Sequence, residues 1–201
     1  MRRVFLVIMC LVWLAPLPAA ARTLLVLGDS LSAAYGMDVQ SGWVALLQKR
    51  LAREKFDYQV VNSSISGDTT ANGLARLPRM LDEHKPAVVI IELGGNDGLR
   101  GLSLTQMKHN ITAMVAEARA RGARVLLVGV RLPPNYGNTY SGKFRRVYQD
   151  VATELQVALV PFILEGIATH RALMQPDGIH ANAKGQPRML ENVWPHLRPL
   201  L

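Results

Sequence analysis

Apolar residues fall along this chain in two alternating rhythms. Leu24 to Leu27 form an unbroken apolar run that stops at Gly28-Asp29-Ser30, as a buried strand does. Trp43, Leu46, Leu47 and Leu51 then recur at helical spacing, and Tyr58 to Asn62 read as a second strand leading into the polar segment Ser63 to Thr70. Leu74, Leu77 and Leu81 mark another helix, which Pro78 is expected to kink or divide. Pro86 to Leu93 is the strongest strand signal, apolar without alternation and so suited to the centre of a sheet covered on both faces. It ends in Gly94-Gly95-Asn96-Asp97-Gly98.

The rhythm continues to the end. Ser103 is placed to cap a helix running to about Arg121, with Leu104, Met107, Ile111, Met114, Val115 and Ala118 inward and Gly122 as its stop. Val125 to Val130 is a fourth strand, followed by a loop through Leu132-Pro133-Pro134-Asn135-Tyr136-Gly137. A helix from roughly Lys143 to Leu155 precedes a short strand, Ala158 to Val160. The loop Gln175 to His180 leads to a last helix carrying Met189, Leu190, Val193 and Leu197. Strict alternation of strand and helix predicts a single three-layer α/β/α domain around a parallel sheet of about five strands. Right-handed crossovers would bring the carboxyl ends of all the strands to one edge. The polar segments after the first three strands, and the late Asp-Gly-Ile-His loop, should meet there.

The first 21 residues break the pattern. Arg2 and Arg3 precede an apolar stretch from Val4 to Leu14, Pro16 and Pro18 end it, and Ala19-Ala20-Ala21 offers small residues for cleavage. The stretch is short for a bilayer span, which takes about 20 residues. It reads as a signal peptide over 1–21, with the domain over 22–201 and a retained anchor as the competing reading. Export points to the periplasm or beyond, with no stable membrane insertion after cleavage. The one cysteine, Cys10, falls inside this segment, so residues 22–201 offer no disulfide, thiolate metal site or cysteine nucleophile. The formal charge is +8, about +6 without Arg2 and Arg3. Its basic residues are scattered and not interleaved with aromatics, which argues against nucleic-acid binding.

The expected edge collects the parts of a serine acyl-transfer site. Ser30 is the candidate nucleophile and His180 its candidate base. Asp177, three residues before His180, can bond the far imidazole nitrogen and fix the tautomer. Gly67 lets a backbone N–H approach a reacting carbonyl, and Asn96 offers an amide; with the Ser30 N–H they make three oxyanion donors. Each has a plainer reading: Asp29 and Ser30 as a cap, Asn96-Asp97 and Asp177-Gly178 as turns. His84, His109, His170 and His196 lie in or beside helical patterns without useful carboxylates, and no histidine spacing supports a zinc site. Neither metal nor organic cofactor is expected. Leu31, Leu99, Leu102, Pro134, Tyr136 and Ile179 flank the site and fit an acyl subsite and ordinary packing under loops equally well.

Four blocks together carry a family likeness. Gly28-Asp29-Ser30-Leu31-Ser32, Ser66-Gly67-Asp68, Gly94-Gly95-Asn96-Asp97 and Asp177-Gly178-Ile179-His180 resemble the Ser, Gly, Asn and His blocks of the SGNH (GDSL-type) hydrolases, in order and in spacing. The resemblance implies a flavodoxin-like hydrolase fold, a Ser30–Asp177–His180 triad, and an oxyanion hole from Ser30, Gly67 and Asn96. It implies an enzyme cleaving small acyl esters and thioesters: acyl-CoA thioesters, aryl esters and lysophospholipids; a monomer is expected. No G-x-S-x-G elbow is present, so the pattern differs from that of α/β-hydrolases. A carbohydrate acetylesterase on the same scaffold and a non-catalytic flavodoxin-like binding module are the alternatives.

Overall fold

The computed structural model describes residues 21–201; the expected signal peptide lies almost entirely outside the described residues. Five strands, β1 (Arg22–Gly28), β2 (Tyr58–Asn62), β3 (Val88–Glu92), β4 (Arg124–Val128) and β5 (Ala158–Val160), form one sheet in the order β2-β1-β3-β4-β5. Every neighbouring pair is parallel. Leu24 to Leu27 in β1 and Val88 to Ile91 in β3 are almost wholly excluded from solvent, as their unbroken apolar runs require.

Among the described residues, six α-helices accompany the sheet: α1 (Trp43–Arg53), α2 (Thr70–His84), α3 (Gly95–Leu99), α4 (Leu104–Ala120), α5 (Asn138–Leu155) and α6 (Gln186–Leu197). Helices α1 and α6 pack together, as do α2 with α4 and α4 with α5, which gives the two outer layers. Among the described residues, no helix is long and apolar enough to cross a membrane.

Some boundaries differ from expectation. Helix α2 runs undivided through Pro78. Helix α5 begins at Asn138, about a turn before Lys143; the poor helix formers Thr139, Tyr140, Ser141 and Gly142 hide that turn from a propensity reading. A tertiary contact supplies the difference, since the Tyr140 hydroxyl reaches Gly98 O. Strand β4 stops at Val128, because Gly129 leaves the ladder to exchange bonds with Val160 and Ile163.

Strand order explains where a site can form. Chain connections leave β1 toward β2 on one side, while β3 adds on the other, so the direction of winding reverses between β1 and β3. In open parallel sheets the crevice beyond such a reversal is the usual ligand position. Ser30 follows β1 and Asn96 follows β3, one at each lip of it.

Candidate active site

Ser30 sits in the turn that follows β1. Asp29 shapes that turn: its carboxylate accepts the Leu31 N–H at 3.1 Å, and its carbonyl accepts from Ala33 N–H at 2.9 Å. The Ser30 hydroxyl is thereby turned toward His180, whose Nε2 lies 2.8 Å from Ser30 Oγ. On the far side of the imidazole, Nδ1 lies 2.7 Å from Asp177 Oδ2. The other Asp177 oxygen accepts the backbone N–H groups of Ile179 and His180 at 2.9 and 3.0 Å, so the Asp-Gly-Ile-His loop closes on its own carboxylate. That bonding puts the imidazole proton on Nδ1 and leaves Nε2 to accept from serine.

Electrostatics favour the same assignment. Partial burial works to raise the Asp177 pKa, but the His180 N–H, the imidazole and the Ile179 N–H together outweigh it and hold the carboxyl below its ordinary range. Asp177 is thus held as an anion beside the imidazole.

The donors for an oxyanion converge through Asn96. Its Nδ2 donates to Asp68 O at 2.9 Å and to Asp29 Oδ2 at 3.2 Å, tying together the residues next to Gly67 and Ser30. Among the described residues, neither Ser30 N–H nor Gly67 N–H has an intramolecular acceptor. Gly67 adopts φ +85°, a conformation suited to glycine, and Arg100 holds its carbonyl at 2.9 Å. Both Asn96 amide protons are engaged, so it differs from the two backbone donors: it meets an oxyanion only by sharing its longer bond.

The six apolar candidates do not gather into one cavity. A shallow depression with no enclosed volume lies beside Ser30 and His180, lined by Leu31 together with Ala34, Tyr35 and Met37. Leu99 and Tyr136 are linked on the far lip, where the Tyr136 hydroxyl donates to Leu99 O at 2.8 Å. Pro134 is exposed beside Tyr136, and Leu102 and Ile179 are exposed on their own loops.

Sequence reasoning missed three contributors. Tyr35 lays its ring 4.7 Å from the His180 ring, and its carbonyl accepts from Gln175 at the root of the histidine loop. Glu92 and Ser32, both buried, support the nucleophile turn from below. Glu92 had one visible signal, a carboxylate ending an otherwise apolar central strand. Tyr35 had none, because its contact spans 145 positions in sequence.

The chain belongs to the GDSL-like lipase/acylhydrolase family, whose pattern it matches over residues 26–188. Esterase TesA of Pseudomonas aeruginosa is 62% identical over 183 residues, which span 91% of each chain. Thioesterase 1/protease 1/lysophospholipase L1 of Escherichia coli is 44% identical over 91% of this chain and 86% of its own. A crystal structure of TesA superposes with a TM-score of 0.88 at 62% identity, covering 90% of this chain and all of that one. The protein is thus a serine hydrolase acting on ester bonds of small molecules.

Proposed function

We propose that Ser30 is the nucleophile of a two-step acyl transfer, with His180 as general base and acid and Asp177 as the residue that orients it. The observation that carries this reading is the unbroken hydrogen-bonded chain from Ser30 Oγ through both imidazole nitrogens to Asp177. Ser30 Oγ attacks the carbonyl carbon while Nε2 takes its proton, and the carbonyl oxygen becomes an oxyanion. The N–H groups of Ser30 and Gly67 and the Asn96 amide surround that oxygen; a single such donor typically contributes about 3–4 kcal/mol in the transition state. His180 returns the proton to a leaving alkoxide. Water then attacks the acyl-enzyme by the same route, releasing the acid and restoring Ser30.

Thioesters, aryl esters and lysophospholipids are the substrate classes we assign. Relatives named as esterase, thioesterase and lysophospholipase support that range. The shallow cleft supports an acyl chain lying across the rim beside Leu31, Leu99, Leu102, Pro134, Tyr136 and Ile179 instead of in a closed tunnel. The segment Arg2 to Ala21 supports export to the periplasm with cleavage after Ala21, and the chain is assigned as a monomer without a nucleic-acid partner.

Ser30→Ala tests the nucleophile. The variant keeps the thermal midpoint of the wild type and loses turnover of a short p-nitrophenyl ester by about 10⁴-fold or more. A purified variant with comparable turnover contradicts the assignment.

A further inference from the structure

Beneath the nucleophile turn lie two buried carboxylates to which the reaction scheme gives no task. Glu92, the last residue of β3, is 0% exposed and stands opposite Gly28 in the β1 register. Its Oε2 accepts the Ser32 hydroxyl at 2.7 Å and faces the Asp29 N–H at 3.4 Å. Its Oε1 is buried and meets no hydrogen-bond partner among the described residues. Asp29, 2% exposed, has a donor on each oxygen: the Leu31 N–H on one and the Asn96 amide on the other.

Two neighbouring carboxylates out of water do not both ionise. The donors decide which one keeps the charge. Asp29 has two N–H donors, whereas Glu92 has a buried oxygen with no partner among the described residues.

We propose that Glu92 works as a neutral acid and is a positioning residue for catalysis: it carries the one proton of the Glu92–Asp29 pair, grips the nucleophile turn through Ser32 and the Asp29 N–H, and leaves Asp29 as the sole anion to aim the Asn96 amide. The inference rests on Ser30 as nucleophile and Asn96 as oxyanion donor. Surrounding charges agree with it. Burial first, and the Asp29 charge second, push Glu92 well above the usual carboxyl range. Burial lifts Asp29 only to about 6, because the Leu31 N–H, His180 and Asn96 oppose it, while Asp68 adds slightly to the rise. On the α5 side, burial and then Glu92 push Tyr148 well above the ordinary phenol range, so it stays neutral, and its hydroxyl is spent on Leu93 O.

Glu92→Gln keeps the shape and an oxygen to accept from Ser32 but cannot ionise. Glu92→Leu keeps the bulk alone. Each is measured by the rate of fluorophosphonate labelling, with the adduct located by peptide mass spectrometry, and by kcat and KM on a p-nitrophenyl ester. Glu92→Gln retains kcat within about 3-fold, and Glu92→Leu loses at least about 30-fold in kcat with KM little changed, as expected when reacting groups are misplaced. Should Glu92→Leu not fold, Ser32→Ala cuts the same grip and lowers kcat about 5-fold, the scale of one hydrogen bond. At pH 7 the melting temperature of Glu92→Gln stays within about 2 °C of the wild type. A Glu92→Gln variant as slow as Glu92→Leu overturns the neutral-acid role, and so does a rise of many degrees in its melting temperature. Wild-type labelling of Ser30 indifferent to Glu92 and Ser32 overturns the proposal alone; wild-type labelling elsewhere than Ser30 overturns the site itself.

Discussion

Asp29 and Asp177 are both carboxylates of the candidate site, yet their surroundings push them in opposite directions. Asp177 is exposed, bonded by His180 and Ile179, and stays ionised below the usual range; Asp29 is buried and binds a proton near pH 6. The two therefore have opposite effects on stability. The folded Asp29 pKa lies above its ordinary 3.8, so its buried charge costs stability above about pH 6, and the cost is relieved as pH falls from there toward 4. A shift of about two units corresponds to roughly 3 kcal/mol. Asp177 stabilises the fold above its ordinary pKa and loses that contribution as pH falls through its lowered one. Urea unfolding of Asp29→Asn should show the first effect. Between pH 7 and pH 5 the wild type gains stability relative to the variant, by about 1 kcal/mol, and a pH-independent difference would refute the buried-charge assignment. Ser30, Asp177 and His180 were legible because each stands in a short block whose neighbours fit one task. Asp29 was visible but its role was open, and Glu92 read only as the end of a strand. What decides both is burial against each other across β1 and β3, a pairing absent from local sequence.

The alternation of strand and helix was readable throughout because apolar periodicity is a local property. The shortest α-helix, α3, was not. Helix α3 holds two glycines in five residues, Gly95 and Gly98, and read as a polar loop. Long-range bonds fold it. Asp97, 3% exposed, accepts both the hydroxyl and the backbone N–H of Thr70, which in turn accepts from Asn110 of α4. Gly94, just before the helix, has φ +117°, and a Cβ there would run into the Tyr148 hydroxyl. Asn96 is thus aimed by a helix that tertiary contacts hold in place. Asp97→Ala cuts the tether to α2 and leaves Thr70 and Asn110 short of an acceptor. It lowers unfolding stability by about 3 kcal/mol in denaturant titration and lowers kcat with it, whereas an unaltered denaturation midpoint would contradict the tether.

At the scale of the whole molecule, apolar patterning laid out the layers and the shared edge, while the strand order was implied only by the family likeness and its flavodoxin-like fold. Nothing local to β2 or β3 says which side of β1 each joins; that choice belongs to the packing of α1 with α6 on one face and α2, α4 and α5 on the other. The order β2-β1-β3-β4-β5 opens the crevice between the ends of β1 and β3, and Ser30 and Asn96 face each other across it. The acyl subsite was the least legible part. Its six candidate residues spread over separate loops around a shallow cleft, and apolar residues on loops carry no periodicity to say what they contact. Rapid acid quench of the enzyme with excess p-nitrophenyl ester, followed by peptide mass spectrometry, tests most directly whether acyl transfer passes through Ser30. The acyl mass is predicted on the peptide carrying Ser30 and absent from Ser30→Ala; turnover with no adduct, or an adduct that survives that substitution, would contradict the account.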